Sequence, residues 1–370
     1  MLFNYPISKI KTKDFPDLIN RIYLLSTGVT KVSYDYKNLK VIYKGDKQVK
    51  FFGDLEKLIT QKDRQIKKKV IKDNCDDSEV SGEFIVSKKN EDGISFEGDI
   101  AKIYEAVKRL LDQISSKFNA TYTKYPTIMS KLLMDKSKYS LHFPQNTYRM
   151  SEIKHQKEDL EKYRLLTENS LDTSDLFQAT NYYLRPCLCY FAYNDREGED
   201  LEKDLDVISS FGQCFRHENT RQISPFRSRD FNMYEIVYIG GQEKVTELRN
   251  KLVEEVWTLF NLLGLKGKIE TANDPFFIKN DRSKISYQRA GERKYELVFT
   301  PNSKVSFSLA SFNLCDDVLT KSFDIKSKNQ SAYSGCTAFG IERWVQAIVY
   351  TYGTNPVLWP KYILEMMVND

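Results

Sequence analysis

The chain has 370 residues, 41% hydrophobic and 29% charged, enough apolar material for one large or two modest globular domains. Its 23 Tyr and 22 Phe argue against a disordered polymer, and no apolar run approaches the length of a membrane span. Net charge is +5 but unevenly spread: residues 1–72 carry 17 Lys and Arg against 7 Asp and Glu, about +10, leaving about −5 for the rest. Such a segment suits an acidic partner (nucleic acid, acidic protein or membrane surface) or is a lysine-rich solvated surface.

The start, MLFNYPISKIKTKDF, lacks the apolar core of a secretory signal, and six cysteines are too few for a disulfide framework in a chain this long. The expectation is a cytoplasmic protein whose thiols are free or metal-bound. FPDLINRIYLLS reads as a helix, KVSYDY, LKVIYKG and KQVKFF as short strands, and a second helix is expected from Asp54. KDRQIKKKVIKDNCDDSEVSGE reads as a helix tail and linker, with strands at EFIVSKK and ISFEGD. These predict a small basic α+β domain over residues 1–95.

From about Ile100 to Phe118, Ile103, Val107, Leu110, Leu111 and Ile114 recur at spacings of three and four, predicting a helix with one apolar face. ATYTKYP is strand-like, TIMSKLLMDK helix-like, and a charged helix is expected over Glu152–Glu168. Strand-like runs follow at YYLRPCLCYFAY, QCFRHE and FNMYEIVYIGG, then a long helix from Gln242 to about Leu263. KYELVFT and KVSFSLASFN read as strands, and a last helix from about Phe339 stops at Gly353. Adjacent strands with hairpin-length connections predict an antiparallel α+β domain over residues 96–370 rather than a doubly wound one.

P-loop and dinucleotide fingerprints are absent, and His142, His155 and His217 are too few for a histidine metal cage or a Ser-His-Asp triad. The densest chemical signal is CFRHENTRQISPFRSRDFNMYEIVYIGG, where Arg216, Arg221, Arg227 and Arg229 interleave with Phe215, Phe226 and Phe231. Fixed guanidinium groups match phosphate oxygens in pairs, and a neighbouring ring offers a base a stacking face. A cross-strand salt-bridge ladder is the other reading of that pattern.

FRHE, an Arg-bearing loop and F-x-x-x-E together resemble motif 2 of the class II aminoacyl-tRNA synthetases. GCTAFGIERW resembles motif 3, and SSKFNATYTKYP resembles motif 1, in the family's order. Within the class, RPCLCYFAY, MYEIVYIGG, NDPFF, KYELVF, SFN and GCTAFGIER are similar to the amino acid:[carrier protein] ligases, relatives of the methanogen-type seryl-tRNA synthetases. The resemblance implies an antiparallel sheet flanked by helices, a homodimer, and ATP-dependent activation of a small amino acid. It implies transfer to the phosphopantetheine thiol of an acidic carrier protein, with tRNA an unlikely acceptor.

The same resemblance places zinc on Cys189, Glu235 and Cys336, and substrate on these residues and Asn313. Cys187, two residues from Cys189, competes for the assignment but points to the opposite face if the run is a regular strand. Cys75, Cys214 and Cys315 read as small buried hydrophobes. For ATP the resemblance implies Arg216 on the α-phosphate and Glu218 on the adenine amino group. Phe231 is expected under the adenine ring, Arg227 on the outer phosphates, Arg343 on the γ-phosphate, and Glu296 on magnesium. The strand VSFSLASFN lacks the second metal-binding acid of many class II enzymes. A tRNA synthetase and a non-catalytic regulatory paralogue are the competing readings; Arg216, Glu218, Phe231 and Arg343 together count against the latter. The carrier-protein reading expects no anticodon-binding domain after motif 3.

Overall fold

The computed structural model describes residues 1–10, 15–35, 37–60, 68–86, 94–218, 223–272 and 292–367, without the side chains of residues 16 and 17. Two compact units emerge, one of residues 1–68 with 218–223, the other of residues 69–217 with 224–370.

The small unit runs β1 (Leu2–Pro6), α1 (Phe15–Leu25), β2 (Val29–Tyr34), β3 (Asn38–Tyr43) and α2 (Gln48–Thr60). Its sheet is antiparallel in the order β1-β3-β2. Leu39, Val41 and Tyr43 alternate inward on β3 and meet Leu18 and Ile22 of α1. The expected third strand at KQVKFF is instead the first part of α2. Phe51, Leu55, Leu58 and Ile59 recur at helical spacing and are buried, and the edge place beside β3 is taken by β1.

The large unit continues with β4 (Val70–Asp73), α3 (Asp99–Lys117), β5 (Thr121–Tyr122), β6 (Ile128–Ser130), α4 (Lys131–Ser137), α5 (Tyr139–His142), β7 (Arg149–Ile153), α6 (Lys157–Glu168), β8 (Phe177–Leu184) and α7 (Cys189–Asp195). Then come β9 (Asp200–Leu201), β10 (Leu205–Phe215), β11 (Asp230–Gly240), α8 (Gln242–Leu262), β12 (Gly267–Thr271), β13 (Lys294–Asn302), β14 (Val305–Asp316), β15 (Lys326–Ser327), β16 (Gln330–Ser331) and β17 (Tyr333–Gly340). Unlabelled helices Val318–Ser322, Ile341–Tyr352 and Lys361–Met367 complete it.

Eight strands form one sheet in the order β4-β12-β13-β14-β17-β11-β10-β5, antiparallel except where β5 joins β10. The expected fold class holds: an antiparallel sheet flanked by helices. Strand alternation gives the sheet two faces. Tyr234, Ile236 and Tyr238 of β11, with Phe312, Leu297 and Phe339, pack against α3, α8 and the helix Ile341–Tyr352. The α3 stripe predicted from spacing, from Ile103 to Ile114, is buried there. The opposite face carries Met233, Glu235 and Val237, with Cys214, Cys336 and Ala338; its apolar members pack with Leu188, Phe191 and Tyr193.

Several local expectations change. Residues 70–73 are not linker but the sheet's edge strand, paired with β12, and fall in the larger compact unit, which starts at Lys69. No strand forms at 83–86 or 94–98; the backbone N–H and C=O of Ile85 are both taken by the Gln346 side-chain amide, at 2.9 Å each. Residues 87–89 of that expected strand lie outside the described residues. The charged helix starts at Lys157 because residues 149–153 pair with β8. YYLRPCLCYFAY is half strand and half helix: β8 ends at Leu184, before Pro186, and α7 begins at Cys189.

Candidate active site

The site-facing side of the sheet collects the reactive groups. Glu235 on β11 is 2% exposed, and its Oε2 accepts N–H bonds from Leu188 (3.0 Å) and Cys189 (2.6 Å). A carboxylate thus seats the first turn of α7, where N–H groups lack helical partners. The helical turn overturns the expectation that Cys187 points away from Cys189. Their sulfurs are 3.5 Å apart, and Cys187 Sγ, Cys189 Sγ and a Glu235 oxygen all lie within 4.8 Å of one another.

Cys336 lies on β17 between β11 and β14. The neighbouring Cys189 thiol lowers it, but burial and the Glu235 carboxylate outweigh that and push the thiol up to about 12. Burial also pushes Glu235 up, opposed by the Cys189 N–H and the Arg216 charge. Sulfur and carboxylate donors are types that zinc accepts. Two thiolates at ~2.3 Å from tetrahedral zinc sit ~3.8 Å apart, close to the spacing of Cys187 and Cys189. Among the described residues the donors grouped closely enough to share one cation are Cys187, Cys189 and Glu235, residue types that zinc accepts; Cys336, an expected ligand, is not in that group. Asn313 on β14 is Cα partner to Cys336 and donates from Nδ2 to the Cys336 carbonyl (3.1 Å) and Ser311 Oγ (3.1 Å).

Arg216 follows the last residue of β10, where its N–H bonds the Arg229 carbonyl (2.8 Å). Its guanidinium lies 5.1 Å from the Phe231 ring centroid, and Nε reaches the Pro186 carbonyl (3.3 Å). The arginine and the expected adenine platform are thus adjacent. Arg227 closes a tight turn whose backbone bonds link Ser224 and Arg227, at 2.9 and 3.0 Å. Phe226 in that turn stacks on Phe307, centroids 4.4 Å apart at 3°. Arg343 grips the turn: Nε donates to the Phe226 carbonyl (2.9 Å), and Nη1 to the Ser308 carbonyl (2.8 Å). Glu218 is half-buried and groups with the small unit; Arg221 and the NDPFF segment lie outside the described residues.

Glu296 shares the register row Glu235–Ala338–Ser311–Glu296 and so lies about three strand spacings, ~14 Å, from Glu235. Its Oε1 is 3.3 Å from Lys294, and its Cα partner on β12 is Glu270, itself 3.0 Å from Lys268.

Sequence reasoning missed Glu270 and Lys294, whose local patterns are ordinary strand. It also missed Arg185 (3% exposed), which donates to the carbonyls of Gln213 (2.7 Å), Tyr125 (2.7 Å) and Pro126 (2.8 Å) and so ties the end of motif 1 to β10. Glu342, beside Arg343, accepts the Asn232 N–H at 2.8 and 3.0 Å. Of the three other cysteines, Cys214 is buried as expected, Cys315 is half-buried, and Cys75 is exposed at the sheet edge.

Residues 173–352 match the sequence family described as the tRNA synthetase class II core domain (G, H, P, S and T). Amino acid--[acyl-carrier-protein] ligase 1 of Bradyrhizobium diazoefficiens is 26% identical over 271 residues, 72% of this chain and 82% of that protein. Type-2 serine--tRNA ligase of Methanococcus aeolicus is 24% identical over 282 residues, 72% of this chain, which spans about half (54%) of that relative. The fold is similar to the Methanopyrus kandleri seryl-tRNA synthetase solved with Aquifex aeolicus tRNASec (TM-score 0.70, 17% identity, 99% of this chain and 77% of that one). The FRHE strand end, the turn at 224–227 and the GIER helix start all fall within residues 173–352, the segment that matches the class II tRNA synthetase core domain.

Proposed function

We propose that the protein is an AMP-forming ligase that activates a small amino acid (Gly, Ala or Ser-like) and transfers it to the phosphopantetheine thiol of a carrier protein. The observation that carries this is the wall in which Cys189, bonded to Glu235, and Cys336 pack in one cluster with Phe231, beside Arg216. It gives an amino-acid anchor and a nucleotide platform one wall. The 26% identity over 271 residues to the Bradyrhizobium diazoefficiens amino acid--[acyl-carrier-protein] ligase supports the carrier-protein acceptor.

Cys189, Glu235 and Cys336 would hold zinc, which when bound supplies a Lewis-acidic position for the substrate's α-amino group. Asn313, bonded to the Cys336 carbonyl, then meets the substrate side chain. The substrate carboxylate, already ionised, attacks the ATP α-phosphorus; an O–P bond forms as the bond to pyrophosphate breaks. Arg216 stabilises the charge on that phosphoryl group, Phe231 stacks on adenine, and Glu218 accepts from the adenine amino group. Arg227 and Arg343 contact the outer phosphates, and Glu296 would hold magnesium. No strong base is required, so catalysis is orientation plus charge stabilisation. The carrier thiol then attacks the adenylate carbonyl and releases AMP. The reading includes a homodimer and a cytoplasmic location, in keeping with the free cysteines.

A second reading, a seryl-type tRNA ligase, is favoured by the fold likeness that covers 99% of this chain in a tRNA-bound enzyme. Amino-acid-dependent pyrophosphate exchange over all twenty amino acids identifies the substrate. Labelled substrate and ATP are then offered to total tRNA or to a panel of holo carrier proteins. Label on a carrier thiol is expected; label on tRNA alone overturns the carrier reading. No exchange with any amino acid overturns both.

A further inference from the structure

We infer that Arg185 is a positioning residue for adenylate formation, fixing the connector that holds the Arg216 guanidinium in place. The inference rests on the ligase reading above and adds a residue to it. Arg185 opens the link between Leu184, the end of β8, and Cys189, the start of α7, and it is 3% exposed. Its Nε donates to the Gln213 carbonyl (2.7 Å) and its Nη1 to those of Tyr125 (2.7 Å) and Pro126 (2.8 Å). A planar fork of donors meets several acceptors at set angles, which a single ammonium cannot copy. Its backbone is held as well: the N–H donates to the Thr127 carbonyl (3.1 Å), and the C=O accepts from the Phe215 N–H (2.8 Å).

These bonds bear on Arg216 from two sides. Phe215 precedes it in the chain, and Pro186, which follows Arg185, offers its carbonyl to Arg216 Nε at 3.3 Å. Proline restricts the backbone, so a displacement at Arg185 is passed on to that carbonyl rather than absorbed. The far end of the link is pinned separately, by the Leu188 and Cys189 N–H groups on Glu235. Arg185 therefore governs the end next to Arg216. Strand β10 makes room for it: a Cβ at Gly212 would collide with Arg185 Nη2. Glycine weakens a strand interior, and here it admits the guanidinium. Gly212 is Cα partner to Met233, whose sulfur lies 3.8 Å from Arg216 Nη2. The two arginines thus reach neighbouring residues of paired strands, one gripping backbone carbonyls, the other placed for the α-phosphate.

The test is pyrophosphate exchange by full-length Arg185→Lys and Gly212→Ala, each alone and combined with Arg216→Ala, using the amino acid that wild-type protein selects. Arg185→Lys keeps the charge without the fork; Gly212→Ala keeps Arg185 and displaces its Nη2. In either single variant kcat should fall about tenfold to a hundredfold, with KM for ATP and amino acid within about twofold of wild type. In the Arg216→Ala background neither change should lower kcat more than about twofold further, because Arg185 acts through Arg216. Wild-type kcat in both single variants, or a second full loss beside Arg216→Ala, overturns the positioning role and leaves the ligase reading standing. Urea unfolding runs in parallel: if one variant loses the fold the other decides, and loss of the fold in both makes Arg185 a structural prop and overturns the inference. Wild-type protein that exchanges with no amino acid overturns the ligase reading, and this inference with it.

Discussion

Glu235 has two separable tasks, and replacing it two ways tells them apart. In Glu235→Ala the Leu188 and Cys189 N–H groups lose their acceptor in a wall where Leu188 is fully buried. Each unpaired buried donor costs ~1–3 kcal/mol, so about 2–6 kcal/mol is at stake. Against that stands relief from burying a carboxylate, whose raised pKa reports that its charge is disfavoured there. The two donors outweigh the one acceptor, leaving Ala less stable by roughly 2–4 kcal/mol. Glu235→Gln keeps a carbonyl oxygen for both N–H groups and should unfold within about 1 kcal/mol of wild type. Both variants should lose bound zinc, since the anionic ligand is gone. The assay is urea unfolding of chelator-treated protein, with metal analysis of untreated protein in parallel. Equal stability of Ala and Gln would refute the seating role, and full zinc in either would refute ligation.

Arg216→Ala should lower the pyrophosphate exchange rate about a hundredfold, near 3 kcal/mol, with the unfolding midpoint little changed; normal exchange would remove Arg216 from the chemistry. Gln346 is fully buried and satisfies both backbone groups of Ile85, so Gln346→Leu should cost about 2–4 kcal/mol in urea unfolding, and a neutral effect would refute that account. Reversing the exposed Lys44, Lys47 and Lys50 to Glu should cut kcat/KM for the acidic carrier roughly tenfold at low salt and leave pyrophosphate exchange unchanged. Unchanged loading would deny the basic unit a docking role.

How much of this was legible beforehand follows from the range of the forces involved. The long helices α3 and α8 and the strands at 294–302 and 305–316 declare themselves because periodicity is a local property that the core then uses. The motif 2 and motif 3 stretches stand out in sequence because closely spaced arginines and aromatics are unusual and chemically pointed. What tertiary structure alone decided is pairing over distance. Whether 70–73 is linker or strand depends on β12, about two hundred residues on, which offers it an edge. Whether 83–86 becomes a strand depends on Gln346, which takes the hydrogen bonds of Ile85 first. The side on which Cys187 falls is set by Pro186 ending the strand and by a carboxylate from β11 seating the next helix. A residue's face is fixed by the element it belongs to, and here that element is chosen by partners from a different part of the chain.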